Sequence, residues 1–143
     1  MKKMSRAECL EYVRRGNPPH TGKLATVRAD GRPHVVPIWY DVDGDELVFM
    51  TWHESVKAAN LRRDPRVCLC VDEETPPFSF VQVEGVVTID EQATDLRYWA
   101  ARIGGRYMGA EEAEAYGARN GVPGELLVRL KPTRWIGFWE MAA

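Results

Sequence analysis

The chain has 143 residues, of which 45% are hydrophobic and 28% charged, and a formal net charge of −2. That length suits one domain with a buried core, and the composition leaves little room for disorder. The slightly acidic balance argues against a general nucleic-acid binder, but a small anionic ligand needs only a local cluster of cations.

The opening stretch, MKKMSRAECLEYVRRG, carries charge where a secretory signal would have an apolar core. No apolar run approaches the roughly 20 residues that span a bilayer, so a single cytoplasmic domain over 1–143 is expected. Within that stretch Ser5 can cap a helix, Glu8 holds the capping-box position and Gly16 can end it. Strand-like runs follow near 22–29, 33–40 and 46–52, separated by Asp30-Gly31 and Asp43-Gly44. Asp-Gly between β-branched and aromatic runs is a strong hairpin signal, so an antiparallel meander is expected.

A short helix is expected over about 55–63, capped by Ser55 and ended by Pro65. RVCLCVD and SFVQVEGVVTID read as two further strands, the second with a bulge at Gly85. Cys68 and Cys70 alternate and should share one strand face as small core residues. With Cys9 they form no C-x-x-C pair, and His20, His34 and His53 have no ligand spacing, so neither a disulfide nor a metal site is expected. Residues 91–121 read as helical, with Leu96, Trp99, Ala100 and Ile103 at helix spacing and a break at Gly104-Gly105. GELLVRLKP and TRWIGFW read as the last strands.

The fold class is therefore mainly β with a few peripheral helices (α+β), six to seven antiparallel strands in a closed or nearly closed small barrel. Trp39, Tyr40, Trp52, Trp135 and Trp139 are many aromatic residues for one small core, which suggests a dimer unless they simply fill the barrel.

Two features could bind a ligand. Pro37, within HVVPIWY, has no amide hydrogen and interrupts a ladder or sits at an edge; an interruption would free backbone groups to meet a planar heterocycle. Thr51, Ser55, Lys57 and Asn60 cluster where a strand passes into the short helix. A helix N-terminus offers free amides and positive partial charge. Lys57 in the first turn opposes the dipole unless an anion sits there; a tolerated surface lysine is the plain alternative. Arg62 and Arg63 suit the helix end, and Arg63 with Asp64 reads as a solvated pair. No activated nucleophile and no G-x-G-x-x-G opening a helix is present.

With these residues in view, the chain resembles the pyridoxamine-phosphate-oxidase-like split β-barrel superfamily, and within it the flavin/deazaflavin oxidoreductases that bind coenzyme F420. The resemblance rests on GKLATVRADGRPHVVPIWYDVDGDELVFMT, SVKAANLRRDPRVCLCVD, VQVEGVVTI and GELLVRLKPTRW. It implies a homodimer with cofactor sites in grooves between the subunits. Carried across, it assigns Lys57 to the cofactor phosphate with Thr51, Ser55 and Asn60, and Val36, Pro37, Ile38 and Trp39 to the ring. Ser55 stands where relatives often have a basic residue, which leaves Lys57 more of the charge. HVVPIWYDV carries no Arg or Lys, and a single lysine suits the phosphodiester monoanion of F420 better than the dianionic phosphate of FMN. An F420H2-dependent reductase of an unsaturated small molecule is the expectation; an FMN-dependent oxidoreductase and a non-catalytic carrier are the alternatives. Arg106 and Tyr107 in GGRYMG are possible substrate contacts, and Lys2, Lys3 and Arg6 either meet a polyglutamate tail or belong to a frayed terminus.

Overall fold

The computed structural model describes residues 1–143. The elements run β1 (Lys2–Lys3), α1 (Arg6–Arg14), β2 (Gly22–Val27), β3 (Pro33–Ile38), β4 (Asp41–Asp43), β5 (Glu46–Trp52) and α2 (Val56–Arg63). Then come β6 (Arg66–Asp72), β7 (Phe80–Asp90), α3 (Leu96–Met108), a 3-10 turn at Ala110–Glu112, α4 (Ala113–Asn120) and β8 (Glu125–Trp139).

All pairings are antiparallel, in the order β3-β2-β6-β7-β8-β5-β4, with β1 added to β8. The two ends of that path, β3 and β4, are consecutive in the chain and joined through Trp39 and Tyr40. The sheet therefore closes on itself through one bent segment, and the strands make a small split barrel. Eight strands replace the expected six to seven because 33–43 divides at its bend and the terminus adds a short strand. The basic terminus is thus not frayed: Lys2 and Lys3 pair with Trp139 and Phe138, and Arg6 lies 3.7 Å from Asp45.

Alternation decides the core. Leu24, Leu47, Phe49, Leu69, Val71, Val81, Val83, Val128 and Leu130 point inward and are fully buried. Helix α1 plugs one end with Cys9, Tyr12 and Val13; its capping box at Ser5 and Glu8 forms as expected, with bonds of 3.1 and 2.9 Å. The Asp43-Gly44 turn holds Gly44 at φ 64°, a conformation that suits glycine.

Three sequence expectations are corrected. Val67, Leu69 and Val71 take the inward positions of β6, so Cys68 and Cys70 share the outer face, half-buried, and are not core. The last two runs form one strand, β8, whose extra residue Thr133 lies opposite the Glu84–Gly85 step of β7 and donates to the Glu84 carbonyl at 3.2 Å. Helix α3 runs straight through Gly104-Gly105 and ends at Gly109. Gly104 is there for contact: a Cβ on it would overlap Tyr116 of α4, so the pair of helices packs this closely only without one.

Candidate functional site

The β5–α2 junction is built by its hydroxyls. The Ser55 hydroxyl accepts from the Ala58 amide at 3.0 Å, which caps α2, and lies 2.7 Å from the Thr51 hydroxyl. Lys57, second in the helix, is half-buried, and its main-chain amide has no acceptor. Its ammonium makes no ion pair, whereas the neighbouring cation Arg62 pairs with Glu91 at 2.7 Å. A lone cation with a free amide at a helix start has the chemistry that suits an anion.

Lys57 lines a cleft of about 370 Å³ together with Pro37, Ile38, Trp39, Thr51 and Ser55. Six of the eight residues named from sequence therefore meet in one place. Pro37 faces outward on β3, paired with Lys23, so it interrupts nothing inside the barrel. Trp39, in the bend between β3 and β4, stacks on Tyr107 with ring centroids 5.2 Å apart and 15° between planes. The cleft lining thus mixes apolar residues with hydroxyl and charged groups.

The remaining two lie elsewhere. Asn60 is 3% exposed and donates to the Thr26 hydroxyl at 3.0 Å, tying α2 to β2. Val36 is half-buried against the barrel core and takes no part in the cleft. Arg106 and Tyr107 do not line the cleft; both make hydrogen bonds within the fold. Arg106 donates to the carbonyls of Val13, Arg14 and Arg15 at 2.8–3.0 Å, closing the end of α1. Tyr107 donates to the His20 carbonyl at 2.9 Å, and burial pushes its hydroxyl pKa up. Arg63 bonds Asn60 at 3.0 Å, and the exposed pair is Arg66 with Asp64, at 2.8 Å; hydrogen bonds from Arg66 hold the Asp64 carboxyl down at about 2.

Sequence reasoning missed the opposite wall. Ala100 and Ile103 of α3, Asn120 at the end of α4, Met50 and Trp52 of β5, and Glu125 of β8 complete the cleft. Glu125 arrives by register, opposite Trp52. Burial pushes its carboxyl pKa up, and the charge of Lys57 pulls it back. Trp52, 44% exposed, stands at the rim.

The sequence profile of the pyridoxamine 5'-phosphate oxidase family matches residues 8–138. A pyridoxine/pyridoxamine 5'-phosphate oxidase of Cupriavidus metallidurans is 31% identical over 150 residues, covering 85% of this chain and 67% of that protein. The chain spans under half the length of two further sequences of that name from Myxococcus xanthus. Among solved structures, a conserved hypothetical protein of Mycobacterium tuberculosis superposes with a TM-score of 0.79 at 33% identity, over 96% of this chain and 86% of that one. A protein described as an F420 reductase superposes at 0.66 with 28% identity, over 82% and 89%.

Proposed function

This chain belongs to the pyridoxamine 5'-phosphate oxidase family, and on that premise we propose that it is an oxidoreductase whose cleft holds the deazaflavin coenzyme F420. The observation that carries this reading is the unpaired Lys57, with its free amide, in one cleft with the apolar run Pro37–Trp39. The residues fit such a group. The volume lies within the roughly 300–1,000 Å³ of small-molecule sites, Lys57 and its amide suit a phosphodiester, and Pro37–Trp39 offer apolar surface to a ring.

Bound there, a reduced deazaflavin would supply a hydride for an unsaturated small-molecule acceptor. The chain's own task is orientation and shielding. Lys57 fixes the anionic end, with the Thr51–Ser55 pair holding the helix start in place. Trp39 is held by its stack on Tyr107 and gives the ring a rigid wall. Met50, Ala100 and Ile103 add apolar surface to the cleft. Lys57 and Glu125 are the titratable side chains this chain brings to the cleft.

We take the active form to be a homodimer with sites between subunits. In its support, Val35 stands 64% exposed on the outer face of β3, beside Pro33 and Pro37, with no helix over it. A second reading, an FMN-dependent oxidoreductase, is favoured by the Cupriavidus relative, whose name is that of an oxidase. Fluorescence titration of the purified protein with F420 and with FMN separates the two. Tight F420 binding with weak FMN binding supports the first. Submicromolar FMN affinity without F420 affinity establishes the second, and tight binding of either without turnover leaves a carrier.

A further inference from the structure

Glu125 has no role in the account above. It is half-buried at the start of β8, its side chain makes no hydrogen bond or ion pair, and it shares the cleft with the equally unpartnered Lys57. The charges nearest to it are few. Lys57 on α2 lines the cleft, His53 packs on Gly124, and Glu91 and Arg97 line the shallow groove on its other side. Arg62, the next cation along α2, is held by Glu91. The cleft therefore holds one free cation and one free carboxylate, which sum to no net charge before a ligand enters.

We propose that Glu125 sets the charge of the ligand this cleft accepts, removing the preference that Lys57 alone would give a doubly charged phosphate monoester over a singly charged phosphodiester. The inference rests on the reading that an anionic group docks at Lys57. Repulsion by one carboxylate is linear in the ligand's charge, so whatever factor it takes from the affinity of a monoanion it takes squared from that of a dianion. A monoanion leaves the cleft at net −1 and a dianion leaves it at −2. Lys57 alone would favour the dianion, and Glu125 cancels that preference.

Three ligands with one ring test it: riboflavin, riboflavin 4',5'-cyclic phosphate and FMN, with no, one and two negative charges at pH 8 and low salt. Glu125→Gln removes the charge and keeps the shape; Glu125→Asp keeps the charge and controls for packing. On flavin-fluorescence titration, Glu125→Gln is expected to tighten the cyclic phosphate roughly fivefold and FMN roughly 25-fold, with riboflavin unchanged and Glu125→Asp close to the parent. Equal changes for all three ligands, no change, or no measurable binding of either phosphate by Glu125→Gln would overturn it. Lys57→Ala separates the two levels. If it abolishes the advantage of the charged ligands over riboflavin while Glu125→Gln leaves their ratio unmoved, the anion seat stands and only the charge filter fails. If Lys57→Ala changes nothing, the seat is misplaced and both readings fall.

Discussion

The hydroxyls of Thr51 and Ser55 meet at 2.7 Å, at the point where β5 hands over to α2. One of them also caps the helix that presents Lys57. Stability and ligand binding therefore share a side chain. Ser55→Ala is expected to destabilise the protein by about 1 kcal/mol, the usual value of a lost cap, and to weaken phosphate-bearing ligands several-fold. Thermal unfolding and titration on the same sample check both. Loss of affinity with unchanged stability would mean that Ser55 serves the ligand and not the helix.

Packing of α3 against α4 shapes the far wall of the cleft. Gly104→Ala places a methyl group into Tyr116, and the expected cost is about 1–3 kcal/mol of overpacking. Because Tyr116 also touches Trp39, with ring centroids 5.8 Å apart, the tryptophan emission should shift with the unfolding midpoint. An unaltered midpoint would show that the helix pair yields without strain.

Arg106 is 8% exposed through its side chain, stands 3.7 Å from Asp41, and satisfies three carbonyls at the end of α1. Arg106→Met keeps much of the volume and leaves the Arg14 and Arg15 carbonyls short of a partner, while Asp41 keeps Arg102 at 2.9 Å and the Val13 carbonyl keeps the Tyr40 hydroxyl at 2.7 Å. A loss of about 1–3 kcal/mol is expected, the usual cost of leaving buried polar groups unsatisfied. Denaturant unfolding measures it; a loss below about 1 kcal/mol, the level of exposed pairs, would contradict the structural role.

Glu125 predicts a pH dependence of definite sign. Its folded carboxyl pKa lies above the ordinary 4.5 because burial disfavours the charged form. The folded state therefore binds this proton more tightly than the unfolded chain. The stability it contributes is fully present below 4.5 and is lost as pH rises through the folded pKa. The difference in melting temperature between Glu125→Gln and the parent should grow in favour of the variant from pH 4 upward and then level off. A difference that shrinks over that window would show that attraction to Lys57 outweighs burial.

Local chemistry was readable where the deciding partners are close in sequence. Ser5 with Glu8 fixes α1, Asp43-Gly44 fixes the tight turn, and Ser55 and Pro65 bound α2. Six cleft residues were within reach because they come from two neighbouring stretches, 37–39 and 51–57. What escaped depends on distant partners. Gly104 reads as a helix breaker until Tyr116 lies against it. Cys68 and Cys70 are apolar enough for either face, and only the valines and leucine between and beside them settle which one turns inward. Glu125 enters the cleft through the β5–β8 register, which no local pattern specifies. Asn60 has the composition of a ligand contact, yet a buried hydrogen bond to Thr26 claims it.

The seat at Lys57 is most directly tested by a crystal structure of the protein grown with F420. The account predicts the phosphodiester within hydrogen-bonding distance of the Lys57 ammonium and main-chain amide, and the ring against Pro37–Trp39. A fully bound coenzyme whose phosphate lies away from Lys57, with that ammonium still free, would contradict it.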